Sequence, residues 1–335
     1  MVTPVGQRLA PVLLLDRQTV GELLTLKGCI PAVETAFAAH AQGAALEPGL
    51  LHVASEGGEF HIKVGGLRSE RTYFAAKING VFFNNRAAFG LPNIIGLIVL
   101  CDGTQGTPLA VMESGLVTRL RTGAATAVAA KYLARPDSRT VTICGAGIQG
   151  EIQLRALKEV LPIERAFIWS RNGAQRLAAQ LHSALAIDAQ AVSDLGEAAR
   201  ASDVIITCTP AKGWFLGREH VSPGTFIAAV GSDSADKQEL EPALLAQSSV
   251  VPDLLNQAAH VGDLHHAIAA GLMHPGQVRG ELGAVIAGLA PRRADDGEVI
   301  IFDSTGTALQ DAAAAATVYE EALKLGRGRA FAFWD

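Results

Sequence analysis

Three glycines, a few cations and one carboxylate carry the chemistry this chain offers. Residues 139–150 read Arg-Thr-Val-Thr-Ile-Cys-Gly-Ala-Gly-Ile-Gln-Gly, a short apolar run that breaks into Gly145, Gly147 and Gly150. An apolar strand that ends in this spacing and opens a helix makes a phosphate site. The first glycine permits a tight turn, the second lets the backbone approach a pyrophosphate, and the third lets helix and strand pack closely. Backbone groups of Ala146, Ile148 and Gln149 then share the anion with the positive end of the new helix. With 35 glycines among 335 residues, near-matches arise by chance. Context decides here: Glu151–Val160 has helical character and Arg165–Ser170 reads as a second strand, so the expectation is a dinucleotide.

The end of that second strand selects between dinucleotides. An NAD-type site carries Asp or Glu about 20 residues after the glycines, where it accepts a hydrogen bond from the ribose 2′-hydroxyl. This chain has Ser170, followed by Arg171 and Asn172. A carboxylate repels a 2′-phosphate, whereas a hydroxyl and a guanidinium bind one. NADPH is therefore expected ahead of NADH or NAD. A solvated loop arginine is the alternative for Arg171.

The elements that must position these groups fall in two regions. From about residue 139 to 305, short Val- and Ile-rich runs alternate with alanine-rich stretches. The strand candidates are Thr140–Cys144, Ala166–Ser170, Val204–Cys208, Phe226–Val230, Val250–Asp253 and Val299–Phe302, with Ala174–Leu185 as one covering helix. Such runs suit parallel strands buried on both faces, a Rossmann-type doubly wound α/β domain. The first 120 residues differ. A helix around Ile30–Ala41 precedes a strand meander at His52–Ala54, Phe60–Val64, Tyr73–Ile78 and Ile94–Cys101. A long helix, Leu116–Leu133, bridges the regions, and Ala308–Leu325 is again helical and expected to pack back on the first. The division expected is residues 1–125 with 307–335 as a second α/β domain for substrate binding and dimerisation, and 126–306 as the dinucleotide-binding domain.

Bulk properties agree with a globular enzyme. The chain is 49% apolar and 18% charged, which excludes extensive disorder. A net charge of −5 and a pI near 6.0 leave no basic footprint for nucleic acid. Cys29, Cys101, Cys144 and Cys208 lack metal-ligand spacing, and a reduced cytoplasmic protein is the simple expectation. The first residues show no signal-peptide pattern, and Ile94–Cys101, one of the longest apolar runs, is far too short to span a bilayer. His265-His266 point in different directions on a helix and lack a third ligand, so no metal is expected.

Taken together, Phe89-Gly-Leu-Pro-Asn93, Leu120-Arg-Thr-Gly-Ala-Ala-Thr126, Gly145–Gly150, Gly231-Ser-Asp-Ser-Ala-Asp-Lys-Gln-Glu-Leu240 and Phe302-Asp-Ser-Thr-Gly306 resemble the ornithine cyclodeaminase/mu-crystallin family, in family order over most of the chain. The resemblance implies an NAD(P)-binding domain beside an α/β dimerisation domain, a homodimer, and chemistry in the cleft between domains. It places Lys77 and Arg121 on the substrate carboxylate, a role suited to an ammonium and to a guanidinium with two parallel donors. It places Thr122 and a following helix start, Thr209 and Ser304 at the cofactor, with the nicotinamide near Ser304-Thr-Gly306.

Asp233 follows an apolar strand at the mouth of the sheet. In the cyclodeaminase and alanine dehydrogenase branches the matching aspartate contacts the substrate nitrogen and moves protons. Imine reduction requires such a group within hydrogen-bond reach. Read alone, Asp233 also looks like a helix N-cap, and Lys237 like a residue that neutralises its loop. Two departures stand out. Many members carry Pro-x-Arg near the second strand as a further carboxylate ligand, whereas Glu47-Pro-Gly-Leu-Leu51 has no arginine. Lys63 either substitutes from a neighbouring strand or is an exposed strand lysine. The NAD-dependent cyclodeaminase branch carries an aspartate where Ser170 stands.

The function expected is NAD(P)H-dependent reduction of a cyclic α-imino acid of the pyrroline-2-carboxylate or piperideine-2-carboxylate type, with Lys77, Arg121 and Lys63 on the carboxylate and Asp233 and Lys77 catalytic. Redox-neutral ornithine cyclodeamination, open-chain amino-acid dehydrogenation and non-catalytic NADPH-dependent binding are the alternatives. Which amino or imino acid is used depends on pocket shape across the cleft, which the sequence does not display.

Overall fold

The buried-strand pattern from residue 139 onward folds into a parallel sheet, and the earlier meander into a second, mixed one. The computed structural model describes residues 9–334. Residues 1–8, part of the segment read for a signal peptide, and residue 335 lie outside the described residues. The first region runs β1 (Val12–Leu15), α1 (Arg17–Leu23), α2 (Leu26–Ala41), β2 (Ala45–Ser55), β3 (Gly58–Leu67), β4 (Tyr73–Val81), α3 (Asn85–Phe89), β5 (Ile94–Asp102), β6 (Pro108–Glu113) and α4 (Ser114–Leu133). The second begins β7 (Thr140–Cys144), α5 (Ile148–Leu157), β8 (Arg165–Trp169), α6 (Ala174–Leu185), β9 (Asp188–Ala191), α7 (Leu195–Arg200), β10 (Val204–Thr207), β11 (Lys212–Leu216) and β12 (Phe226–Ala229). It continues β13 (Gln238–Leu240), α8 (Pro242–Ala246), β14 (Ser249–Pro252), α9 (Leu255–Val261), α10 (Asp263–Ala269), α11 (Leu282–Ile286) and β15 (Ile300–Asp303). The chain then returns through α12 (Ala308–Leu325) and β16 (Arg329–Phe331) to the first sheet.

The second region's sheet has the order β14-β15-β12-β10-β7-β8-β9, every pair parallel. Val204–Thr207, Phe226–Ala229 and Ile300–Asp303 are buried at every position, because helices cover both faces. The strand order reverses between β7 and β10. That crevice, at the carboxyl ends of the strands, is where such sheets bind ligands.

The first sheet has the order β16-β1-β6-β5-β4-β3-β2 and is antiparallel except for β1 beside β6. It is covered on one face by α2, α4 and α12 and left open on the other. Helix α4 is buried from Leu120 through Ala130 on all sides, as its Gly123-Ala-Ala-Thr-Ala-Val-Ala-Ala130 run permits. The division expected between residues 125 and 126 falls inside this helix. One apolar core runs from Phe37 and Leu100 through Ala124–Ala130 to Ile143 and Phe226, so α4 joins the two sheets rather than linking separate bodies. No helix among the described residues is long and apolar enough to cross a membrane.

Candidate active site

The glycine motif does in the structure what its spacing predicts. Gly145 ends β7 at φ +127°, a conformation open to glycine. A Cβ on Gly150 would lie 2.0 Å from the Gly145 carbonyl oxygen, so only glycine lets α5 start this close to β7. A Cβ on Gly147 would meet nothing within 4 Å. It would project into open space beside the start of α5, where a bound pyrophosphate belongs. The loop therefore fits a dinucleotide. Ser170 and Arg171 follow the last residue of β8, Trp169, and Arg171 is exposed at that mouth.

Thr209 follows β10 across the switch point. Its N–H and hydroxyl donate to Glu239, at 2.6 and 2.7 Å, and Glu239 also accepts from the Gly231 N–H at 2.9 Å. One buried carboxylate thus joins two mouth loops. Burial, reinforced by nearby Asp263, pushes the Glu239 carboxyl up to about 7. Thr122 is placed differently from expectation. It lies inside α4, with no helix start after it, and its hydroxyl donates to the Thr118 carbonyl at 2.7 Å. The helix start at the glycine loop is that of α5. Ser304 lies just past β15 with a buried hydroxyl that has no hydrogen-bond partner.

Substrate-side charges gather on the covered face of the first sheet. Strand alternation turns Lys63 and His61 of β3 inward with Lys77 of β4, and the register pairs Leu50 with Lys63 and Lys63 with Lys77. Leu50 occupies the arginine position of the Pro-x-Arg pattern, so Lys63 stands directly beside the missing group. It is buried, not an exposed strand lysine. Its ammonium donates to the Thr305 carbonyl at 3.0 Å and to the Gly306 carbonyl.

Arg121 comes from α4 and donates to Asp311 at 2.9 Å and to Gln310 at 2.7 Å. The Lys77 ammonium lies 2.5 Å from the other Asp311 oxygen. Helix α12 reaches this depth because Gly65 faces it: a Cβ there would come within 2.9 Å of the Ala308 methyl. The Ser304-Thr-Gly306 turn is pinned from below by Asp253, which accepts from the Thr305 hydroxyl at 2.8 Å and the Gly306 N–H at 2.7 Å. Gly306 has φ +73°, and a Cβ there would strike the Arg121 guanidinium at 2.6 Å.

Lys63, Lys77 and Arg121 surround the carboxylate of Asp311, all four nearly inaccessible, and Asp233 and Asp253 also act on Lys63. Burial pulls the Lys77 ammonium down to about 7, with Asp311 opposing and Arg121 and Lys63 adding to the fall. Lys63 is lowered by burial and by Arg121. Burial works against a charged Asp311, yet Lys77, Arg121 and Lys63 hold its carboxyl below the usual range.

Asp233 sits in the turn between β12 and β13 and begins no helix, so the capping alternative has no helix to cap. It pairs with Lys237 at 2.5 Å. Burial opposes its charge, but Lys237, Lys63 and His61 outweigh it and hold the carboxyl at about 2. Asp233 is thus ionised at neutral pH, an acceptor of hydrogen bonds and not a proton donor.

The sequence pointed to Lys63, Lys77, Arg121, Asp233 and the Ser304–Gly306 turn, and the fold brings these together. Asp311, Gln310, Asp253 and Glu239 were missed. Gln310-Asp311 is the polar pair in the otherwise small and apolar stretch 308–316 of a helix, a signal that marks a buried charge partner.

Comparison with known proteins agrees with this geometry. The model of the Ornithine cyclodeaminase/mu-crystallin family matches residues 12–326. A dimeric archaeal alanine dehydrogenase with bound NAD superposes with a TM-score of 0.92 at 35% identity, covering 96% of this chain and 99% of that one. The Thermococcus litoralis Delta(1)-pyrroline-2-carboxylate reductase in complex with NADH and L-proline gives 0.89 at 33%, covering 95% and 99%. The iminosuccinate reductase of Paracoccus denitrificans with NAD+ gives 0.88 at 34%, covering 96% and 99%. With the glycine loop, the cation cluster and the mouth aspartate in their places on a matching fold, the chain belongs to the ornithine cyclodeaminase/mu-crystallin family.

Proposed function

We propose that the protein is an NAD(P)H-dependent reductase of a cyclic α-imino acid, giving the cyclic amino acid. The observation that carries this reading is the buried cluster of Lys63, Lys77 and Arg121 around Asp311, with the Asp233 carboxylate within electrostatic reach of Lys63. Relatives that reduce pyrroline-2-carboxylate or iminosuccinate, and structures of relatives holding NADH or NAD+, support it.

In this reading Lys63, Lys77 and Arg121 bind the substrate carboxylate and fix the ring beside the Ser304–Gly306 turn. The dinucleotide, when bound, supplies a hydride for the imine carbon. Asp233 accepts a hydrogen bond from the protonated imine nitrogen and holds that nitrogen cationic, which makes the adjacent carbon electrophilic. Lys237 keeps Asp233 ionised. The proton ends on the amine nitrogen.

Ser170 and Arg171 at the end of β8 favour NADPH over NADH. The open face of the first sheet supports a homodimer. Leu51, Val53, Phe60, Ile78, Ile95 and Leu97 are exposed together on strands β2–β5, an apolar expanse that a second copy would cover. Light scattering at micromolar protein measures that assembly.

A screen of cyclic imino acids and basic amino acids against both cofactors, following absorbance and ammonia together, tests the function. Stoichiometric NADPH oxidation with a cyclic imino acid is expected, with tighter binding of NADPH than NADH. Ammonia release from ornithine without net absorbance change would replace the reading with cyclodeamination.

A further inference from the structure

The β2–β3 hairpin carries three side chains that the proposed reaction does not use. His52 and His61 are cross-strand partners on the inward face, and Glu59 lies two residues before His61 on the same face. The two imidazoles stack at 4.2 Å between centroids and 4° between planes. Both Nε2 atoms are buried and complete no hydrogen bond. A Glu59 oxygen lies 2.7 Å from His61 Nε2, at ion-pair distance. Buried polar atoms are almost always satisfied, and the unpartnered His52 Nε2 beside the His61–Glu59 pair points to a ligand shared by the three.

From this juxtaposition we propose a divalent transition-metal site of the zinc class at His52, Glu59 and His61. The ligand atoms of the three residues lie within 4.8 Å of one another. A tetrahedral ion about 2.0–2.1 Å from each donor needs them about 3.4 Å apart, and because each nitrogen lone pair lies in its ring plane, the two imidazoles must turn out of their parallel stack to meet one ion. Two imidazoles and one carboxylate form a donor set that suits zinc and leave a coordination position open. His52 also lines, with Leu50, Asn256 and Gln257, a cavity of about 470 Å³ between β2 and α9.

The site also bears on turnover. The ion would lie on the sheet face that carries Lys63 and within electrostatic reach of Asp233. A dication there competes with the substrate nitrogen for the Asp233 charge, so occupancy weakens substrate binding. This second consequence rests on the proposed imino-acid reaction; the metal site itself does not.

Calorimetry of untagged, EDTA-dialysed full-length protein with Zn²⁺ alone tests the site without substrate. One ion per chain is expected, with affinity reduced at least about tenfold in His52→Gln and in Glu59→Gln. Cobalt(II) should give a ligand-field absorption band that both variants lose. Circular dichroism of each variant separates lost ligation from misfolding. Zinc should raise the KM for the imino acid in the wild type, reversibly with EDTA, and not in His52→Gln. No zinc binding, or binding unchanged in both folded variants, would overturn the site. Binding at the site without any change in KM would overturn its placement beside the substrate.

Discussion

The two sheets build their halves of the cleft by different means. The parallel sheet makes its site from backbone: a glycine turn at φ +127°, a helix start, and loops joined by Glu239. The mixed sheet makes its site from charged side chains contributed by β3, β4, α4 and α12, set against the turn after β15. A backbone site is local in sequence and neutral, and a missing methyl group defines it. A side-chain site is assembled across more than two hundred residues, from Lys63 to Asp311, and the balance of its charges defines it. Damage to the first should act through shape, and damage to the second through charge and pH.

The largest effect is expected where the two halves meet. Asp233→Asn removes the ionised acceptor while keeping its shape. Steady-state kinetics should show kcat lower by roughly 10²–10⁴, with NADPH affinity nearly intact. A loss of less than threefold would place the residue outside the chemistry.

Gly150→Ala breaks the backbone site alone. The added methyl meets the Gly145 carbonyl at 2.0 Å, so α5 must shift away from β7. Overpacking of this kind costs about 1–3 kcal/mol. Denaturant titration should register it together with weakened dinucleotide binding. Unchanged values for both would show that the helix start is not fixed by this contact.

A smaller effect sharpens the contrast through pH. Lys77 titrates near 7 in the free protein, and a bound carboxylate raises that value. Affinity for the anion is therefore fully present below pH 7. It should fall up to about tenfold per unit as pH rises through and beyond 7, until the bound-state value is reached. Calorimetry with cyclopentanecarboxylate, which has no titrating nitrogen in this range, isolates the effect, and Lys77→Met should flatten it. A flat wild-type profile from pH 7 to 9 would show that Lys77 does not bind the anion.

The same difference explains what could be read beforehand. Helices α6 and α12 were expected at their observed bounds, and the central parallel strands nearly so, because continuous Val and Ile runs mark burial on both faces. Strand β9, Asp188-Ala-Gln-Ala191, escaped notice: it is an edge strand without a β-branched residue, and it pairs only with β8. Strands β1, β6 and β16 were also missed. Strand β6 opens on Pro108, and β16 has three residues whose pairing comes from β1, more than three hundred positions away. The glycine loop was legible because its parts are neighbours in sequence. Asp311 was not, because an aspartate in an alanine-rich helix shows no partner until α12 packs on β3 and β4. Lys63 was ambiguous for the same reason, and only the register with Leu50 and Lys77 resolves its position.

That register also provides the most direct test of the central claim, that a row of cations on the first sheet grips the substrate carboxylate. Lys63→Met should raise the KM for the cyclic imino acid by roughly 10- to 100-fold, the scale of a charge-assisted hydrogen bond, with kcat much less affected. Leu50→Arg added to Lys63→Met returns a cation to the adjacent strand at the same row, and it should recover most of that loss. A Lys63→Met protein with wild-type KM, or one whose KM the added arginine leaves unimproved, would contradict the account.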